Sequence, residues 1–287
     1  MVWALVFSIA FVALGGAIGL VRMPTNRVDL VRFVGLGSGV FAVFAQLLPE
    51  AAESLGFLAL LPFLAALVLS ILVERALVLP ARAPDSVRPS GRAGAAVTAS
   101  IDLGLSAMLA HQLVEGFTLG AIETSVTPKS LALLTMASLT VHTVPILAAF
   151  TQAIRSLAGT AAAVVRVAFV AVAGFSGALL SSSAAAAASI ESAGAWLHGV
   201  IAGLLLHAVS HVTEPRSLRD RTHPGVALAA FLFGLGLALP SLLAHDVDHL
   251  FEGSTAAVVA LGIVASAVLL VSLHRRHDHA HDRRVVH

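Results

Sequence analysis

Apolar residues run in blocks of roughly twenty along almost the whole chain, separated by short stretches where Arg, Pro, Asp, Glu and His collect. As a helix, each block is about 30 Å long, the thickness of a bilayer's hydrocarbon core. Nine can be marked, at 2–21, 30–48, 55–79, 97–122, 130–149, 164–183, 194–212, 226–244 and 255–273. Within them Ala, Leu, Val and Gly follow one another without the period-two alternation of barrel strands. The pattern predicts an all-α, polytopic membrane helical bundle. Residues 1–273 form a single transmembrane domain, and 274–287 a tail rich in His and Arg. The segment 80–96, with its Pro, Arg and Gly, reads as a flexible linker between the third and fourth spans. A second division is expected around 157–163.

The connections give an orientation. Alternate ones carry Arg22 and Arg27, then Arg82, Arg88 and Arg92, then Arg155, then Arg216, Arg219 and Arg221, and finally Arg275, Arg276, Arg283 and Arg284. The others offer Glu50 and Glu53, Glu123 with Lys129, Glu191, then Asp246, Asp248 and Glu252. By the positive-inside rule the arginine-rich set is cytoplasmic, so the N-terminus is expected outside and the C-terminus inside. The linker 80–96 and the tail then both face the cytoplasm. The first span has no basic stretch before it and is expected to stay in the mature protein rather than serve as a signal peptide. The expected location is a bacterial inner membrane.

Composition narrows the chemistry. With 58% hydrophobic and 11% charged residues and a mean hydropathy of +0.94, water is not the main solvent, and the lipid bilayer is the first partner. There is no cysteine, so any metal must be held by His, Asp, Glu, Asn or Gln. A net charge of +1 says little about partners, and no nucleic-acid partner is expected.

Two internal similarities stand out. GLGSGVFAVFAQLLPE (35–50) aligns without a gap on GVIAGLLLHAVSHVTE (199–214), pairing Gly35 with Gly199, Gly39 with Gly203 and Glu50 with Glu214. These spans run in opposite directions, as in the inverted repeats of transporters, although matches among glycine-rich apolar helices also arise by chance. In the fourth and fifth spans, His111 falls opposite His142, Gln112 opposite Thr143 and Glu115 opposite Ile146. His111 and Glu115 are four residues apart and share a helix face. Pro145 lacks a backbone donor and should free a carbonyl nearby. A carboxylate in mid-bilayer costs about 2.5 to 3.5 kcal/mol, so Glu115 needs a partner or a purpose. Pairing among Glu115, His111 and Gln112 to cement helices is the plainer account. A site for zinc or another first-row divalent ion is the functional one.

HQLVEG (111–116), HTVPI (142–146) and FAQLLPEA (44–51) resemble three motifs of the ZIP family of divalent-metal transporters. The first two are similar to the His-Asn/Asp-x-Pro-Glu-Gly pattern of the family's fourth and fifth helices, the third to the His-Leu-Leu-Pro-Glu ending of its second. The resemblance implies eight helices in a 3+2+3 inverted repeat, with the ninth span here as an extra C-terminal transmembrane helix. It implies metal passing toward the cytoplasm through a site between the fourth and fifth helices. His111, Glu115 and His142 match ligand positions of a first site, Gln112 and Thr143 positions of a second, and Gln46 and Glu50 belong to the second-helix motif. Three residues depart from the pattern: Ile146 stands where the family has a bridging Glu, Gln112 replaces Asn or Asp, and Gln46 replaces His. The second site is therefore expected to be absent or very weak.

Further candidates lie outside these motifs. His207, His211 and Glu214 recur at spacings of four and three, on one helical face near the expected cytoplasmic end, where they could hand on an exiting ion or simply meet water. Since Ala208 follows His207, the motif is not HExxH. The cluster His245, Asp246, Asp248, His249 and Glu252 could capture metal or be a solvated loop. The tail HRRHDHAHDRRVVH suits metal buffering or attraction to anionic lipid. Small-residue faces, Gly174, Ser176 and Gly177 and the run Ala184 to Ala188, invite helix packing, and a homodimer is one use for them. The expected function is transport of a divalent cation, zinc first with iron and manganese behind it, by a protein that is not an enzyme and has no prosthetic group. The alternatives are a degenerate ZIP homologue that senses metal or assembles without transporting, and a membrane-embedded metal-dependent hydrolase.

Overall fold

The computed structural model describes residues 2–78, 92–124, 128–212, 224–244 and 254–267. Among these, secondary structure is helical with no strand. Helix α1 is Val2–Leu20; α2, Thr25–Phe41, passes through a π-helical segment, Ala42–Leu47, into α3, Leu48–Leu55. A 3-10 turn, Gly56–Ala59, leads to α4, Leu60–Val78. Then come α5, Arg92–Thr124; α6, Lys129–Thr140; α7, Thr143–Leu180; α8, Ala184–Val212; α9, Pro224–Ala244; and α10, Ser254–Ala267.

Among the described residues, four stretches are long and apolar enough to cross a membrane: Val2–Leu20, Asn26–Val73, Lys129–Leu180 and Ala193–Ser210. The second and third, at 48 and 52 residues, each exceed one crossing. Each is broken by a glycine in a conformation that L side chains rarely adopt: Gly56 at φ 55° ends α3, and Gly159 at φ 87° kinks α7 within the predicted division at 157–163. Gly225–Leu237, within α9, and Ser254–Ala267 are apolar as well. Helix α5 carries Asp102, His111, Gln112, Glu115 and Glu123 among its apolar residues.

The outward faces are apolar. Leu61, Leu69, Leu134, Phe169, Val172 and Phe233 are all exposed, as suits helices whose surroundings are hydrocarbon. The chain reads as a helical membrane protein.

Two internal faces organise the bundle. Helix α1 lies along α7, which also packs on α5; α2 lies on α9, and α4 on α8. Contact is close because glycines bring backbones together. A Cβ at Gly37 would lie 2.1 Å from the Phe231 carbonyl oxygen, and one at Gly203 2.3 Å from that of Phe63. The Ser38 hydroxyl donates to the Gly234 carbonyl at 2.8 Å, adding a polar tie between α2 and α9. The core groups Phe63, Leu67, Met108, Ile146, Phe150, Ile201 and Leu205 around these contacts.

Charged groups tie helix ends. Glu123 accepts from the backbone N–H of Trp3 and Ala4 at 3.2 and 2.7 Å, satisfying donors that the first turn of α1 leaves open. Arg155 donates to the Leu20 carbonyl at 2.8 Å at the other end of that helix. Arg166 donates twice to one oxygen of Asp102, at 3.0 and 2.7 Å.

The expected linker 80–96 needs correction at its end. Residues 92–96 already belong to α5, so the connection stops at 91, and 79–91 lie outside the described residues. Arg92 and three alanines stand in 92–96, and their helix propensity offsets the lone Gly94. The cluster 245–252 and the tail 274–287 also lie outside.

Candidate metal centre

Helix α5 presents His111 and Glu115 on one face, as their spacing requires. The partner histidine stands at a break. Pro145 cannot donate to the Val141 carbonyl, and Val141 and His142 form a turn between α6 and α7. The Val141 carbonyl accepts a long, 3.4 Å bond from the Val144 N–H, which leaves its second lone pair open.

The local alignment of the two spans is realised as contacts. His111 Nε2 lies 3.1 Å from His142 Nε2, and Gln112 Nε2 donates to the Thr143 hydroxyl oxygen at 3.2 Å. Glu115 Oε2 lies 3.5 Å from His111 Nε2. His111, Glu115 and His142 each offer a ligand atom, all within 4.8 Å of one another. Two nitrogens on one tetrahedral zinc stand about 3.3 Å apart, so the spacing of the histidines is that of a shared ion. His111 and His142 are buried, and Glu115 is nearly so.

The carboxylate is held asymmetrically. Oε2 accepts from Gln112 Nε2 and, at 3.1 Å, from the Thr143 hydroxyl. Oε1 is buried with no hydrogen-bond partner. Such an oxygen is costly in a low-dielectric interior unless a cation or proton meets it. Gln112 and Thr143 thus orient the carboxylate in this arrangement. Outer-shell donors of this kind fix the geometry of metal ligands.

Above the cluster is a cavity of about 50 Å³ bordered by Gln46, Glu50, His111, Glu115, Thr118, His142 and His198. Gln46 sits in the π-helical segment, three residues before Pro49. Proline has no N–H for the Ala45 carbonyl, and widening the preceding turn accommodates the ring; the Leu48 N–H reaches back to Val43 O instead. Glu50 Oε2 lies 3.1 Å from His198 Nδ1, which brings α8 into the same cavity. His198 escaped the sequence reading. The available signal was Glu50 at the predicted outer end of one span, needing a partner at the same end of another.

Other expected residues fall elsewhere. His207 is buried in α8 and is not part of the three-ligand group. His211 lies in α8 but its side chain is outside the described set, as is all of Glu214. Ile146 is buried and borders an apolar crevice with Gly35, Leu36, Ala149, Phe150 and Val209, well suited to its side chain.

Comparison with known proteins adds no relative: no protein-family profile, curated protein or solved structure matches the chain.

Proposed function

We propose that the chain is a ZIP-like transporter that moves a divalent cation, zinc foremost, across a bacterial inner membrane toward the cytoplasm. The observation that carries this is the convergence of His111 and Glu115 of α5 with His142 from the break between α6 and α7, with one buried carboxylate oxygen left unpartnered. Two imidazoles and a carboxylate are a borderline ligand set suited to zinc, with a fourth position for water or an incoming group. A single carboxylate leaves the bound dication undercompensated, which weakens its hold and favours release.

The packing supports an inverted repeat. Exchanging α2 with α8 and α4 with α9 turns the α2–α9 contact into the α8–α4 contact, and both occur. Along α2–α3 and α8 the chains are antiparallel: a Cβ at Gly39 would meet Val209, while Glu50, eleven residues on, meets His198, eleven residues back. The end ties are compatible with nine crossings, an outside N-terminus and a cytoplasmic C-terminus. Trp3, Ala4 and Glu123, with Glu50 and His198, fall on the predicted outer side; Leu20, Arg155, Asp102 and Arg166 fall on the inner.

A second reading, a non-transporting homologue that senses metal, is favoured by the apolar packing around Ile146 at the position of the family's bridging Glu. The two separate in sealed proteoliposomes. Transport requires saturable zinc uptake by the natural chain that disappears in Glu115→Ala. Tight zinc binding with no uptake by correctly inserted protein selects the sensor, and absence of both discards the metal site.

A further inference from the structure

The mouth of the cavity carries ligands of its own. Glu50 and His198 come from α3 and α8 and meet at 3.1 Å, a separation two ligands of one ion can share. Their side chains are 32% and 17% exposed, against 7% and 8% for His111 and Glu115 deeper in. Gln46, one turn before Glu50 on the same face, is buried between the two levels and borders the same cavity. Glu53, three residues beyond Glu50 and exposed, adds negative charge at this end.

We infer that Glu50 and His198 form a second divalent-cation site, a capture position from which the ion steps down to His111, Glu115 and His142. The inference rests on the transport reading above. As a mere clamp between α3 and α8, a pair this accessible would stabilise the fold little. As ligands, a carboxylate and an imidazole supply two donors from two helices, His198 Nε2 takes no part in the contact with Glu50, and Gln46 offers a neutral amide oxygen on the inward path. Two protein ligands outside and three inside make the outer site the weaker, so an ion moves inward toward tighter binding. A cavity of about 50 Å³ bordered by both sets provides the passage between them.

The chain has no cysteine, which permits a local test. His198→Cys creates a sole thiol that retains affinity for zinc, and its rate of maleimide labelling is followed with and without zinc in the full-length protein. At free zinc ten times the dissociation constant, labelling slows about tenfold. The same protection is expected when Glu115→Gln is added, because the outer site does not need the inner one. Labelling unaffected by zinc overturns the capture site, and so does protection that vanishes with Glu115→Gln, since the ion then sits only below. Glu50→Cys, read the same way, serves if His198→Cys does not fold. Saturable uptake by the natural chain without protection removes the capture site and leaves transport standing. Protection without uptake removes transport and leaves the ion site.

Discussion

The position of α5, and with it two of the three ligands, depends on bare backbone contact with α7. At Gly177 an added Cβ would lie 1.9 Å from the Leu113 carbonyl oxygen and 2.9 Å from the Phe117 nitrogen; at Gly116 it would lie 2.0 Å from the Gly174 carbonyl oxygen. None of these neighbours is a flexible side-chain tip, so Gly177→Ala must push the helices apart. Restoring a tolerable contact requires a separation of about 1 Å. Over-packing of this kind costs about 1–3 kcal/mol. The metal centre should suffer more, because Leu113 lies between His111 and Glu115 and metal ligands tolerate displacements of only about 0.2 Å. We expect Gly177→Ala to unfold at lower temperature in detergent and to bind zinc at least ten times more weakly in competition with a chelating dye. Gly236→Ala is the control: nothing lies within 4 Å of its Cβ, and alanine in a helix is about 0.5–1 kcal/mol better than glycine, so stability should hold or rise. Natural stability and zinc affinity in Gly177→Ala would refute the close α5–α7 contact. Equal losses in both variants would refute the argument from packing.

Thr143→Val keeps shape but removes a donor to Glu115; zinc affinity, measured by dye competition, should fall about tenfold, as for other outer-shell changes. Glu123→Gln weakens the acceptor for the Trp3 and Ala4 N–H groups, and thermal unfolding should register a loss of about 1 kcal/mol with zinc affinity unchanged. Arg166→Ala deletes a partly exposed pair with Asp102, and a loss of no more than about 1 kcal/mol is expected in the same assay.

What could be read from the chain follows from the range of each interaction. The helical class, the break near Gly159 and the shared face of His111 and Glu115 are local matters of composition and period, and the sequence carries them directly. The pairing of His111 with His142 was also legible, because two similar helices packed side by side bring corresponding residues together. The start of α5 was not, since arginine and glycine in 92–94 look like linker until the helix beyond extends over them. His198 was hidden for a different reason. It has no ligand one turn away on its own helix, and its partner Glu50 is 148 positions distant, so only the antiparallel crossing of α3 and α8 gives it meaning.

The departure at Ile146 shows how the same logic bears on chemistry. Read as a substitution in a motif, it removes a ligand. In the fold it is buried and borders an apolar crevice with Ala149, Phe150 and Val209. A carboxylate placed there would cost about 2.5 to 3.5 kcal/mol in hydrocarbon unless an ion accompanied it. With isoleucine there, the candidate centre is limited to one cation: three possible ligands from α5 and the α6–α7 turn, and two donors to hold the carboxylate. On the transport reading proposed above, an ion leaving the cluster by way of this crevice would need α2, α7 and α8 to part around Ile146, a movement of helices rather than diffusion through a standing pore.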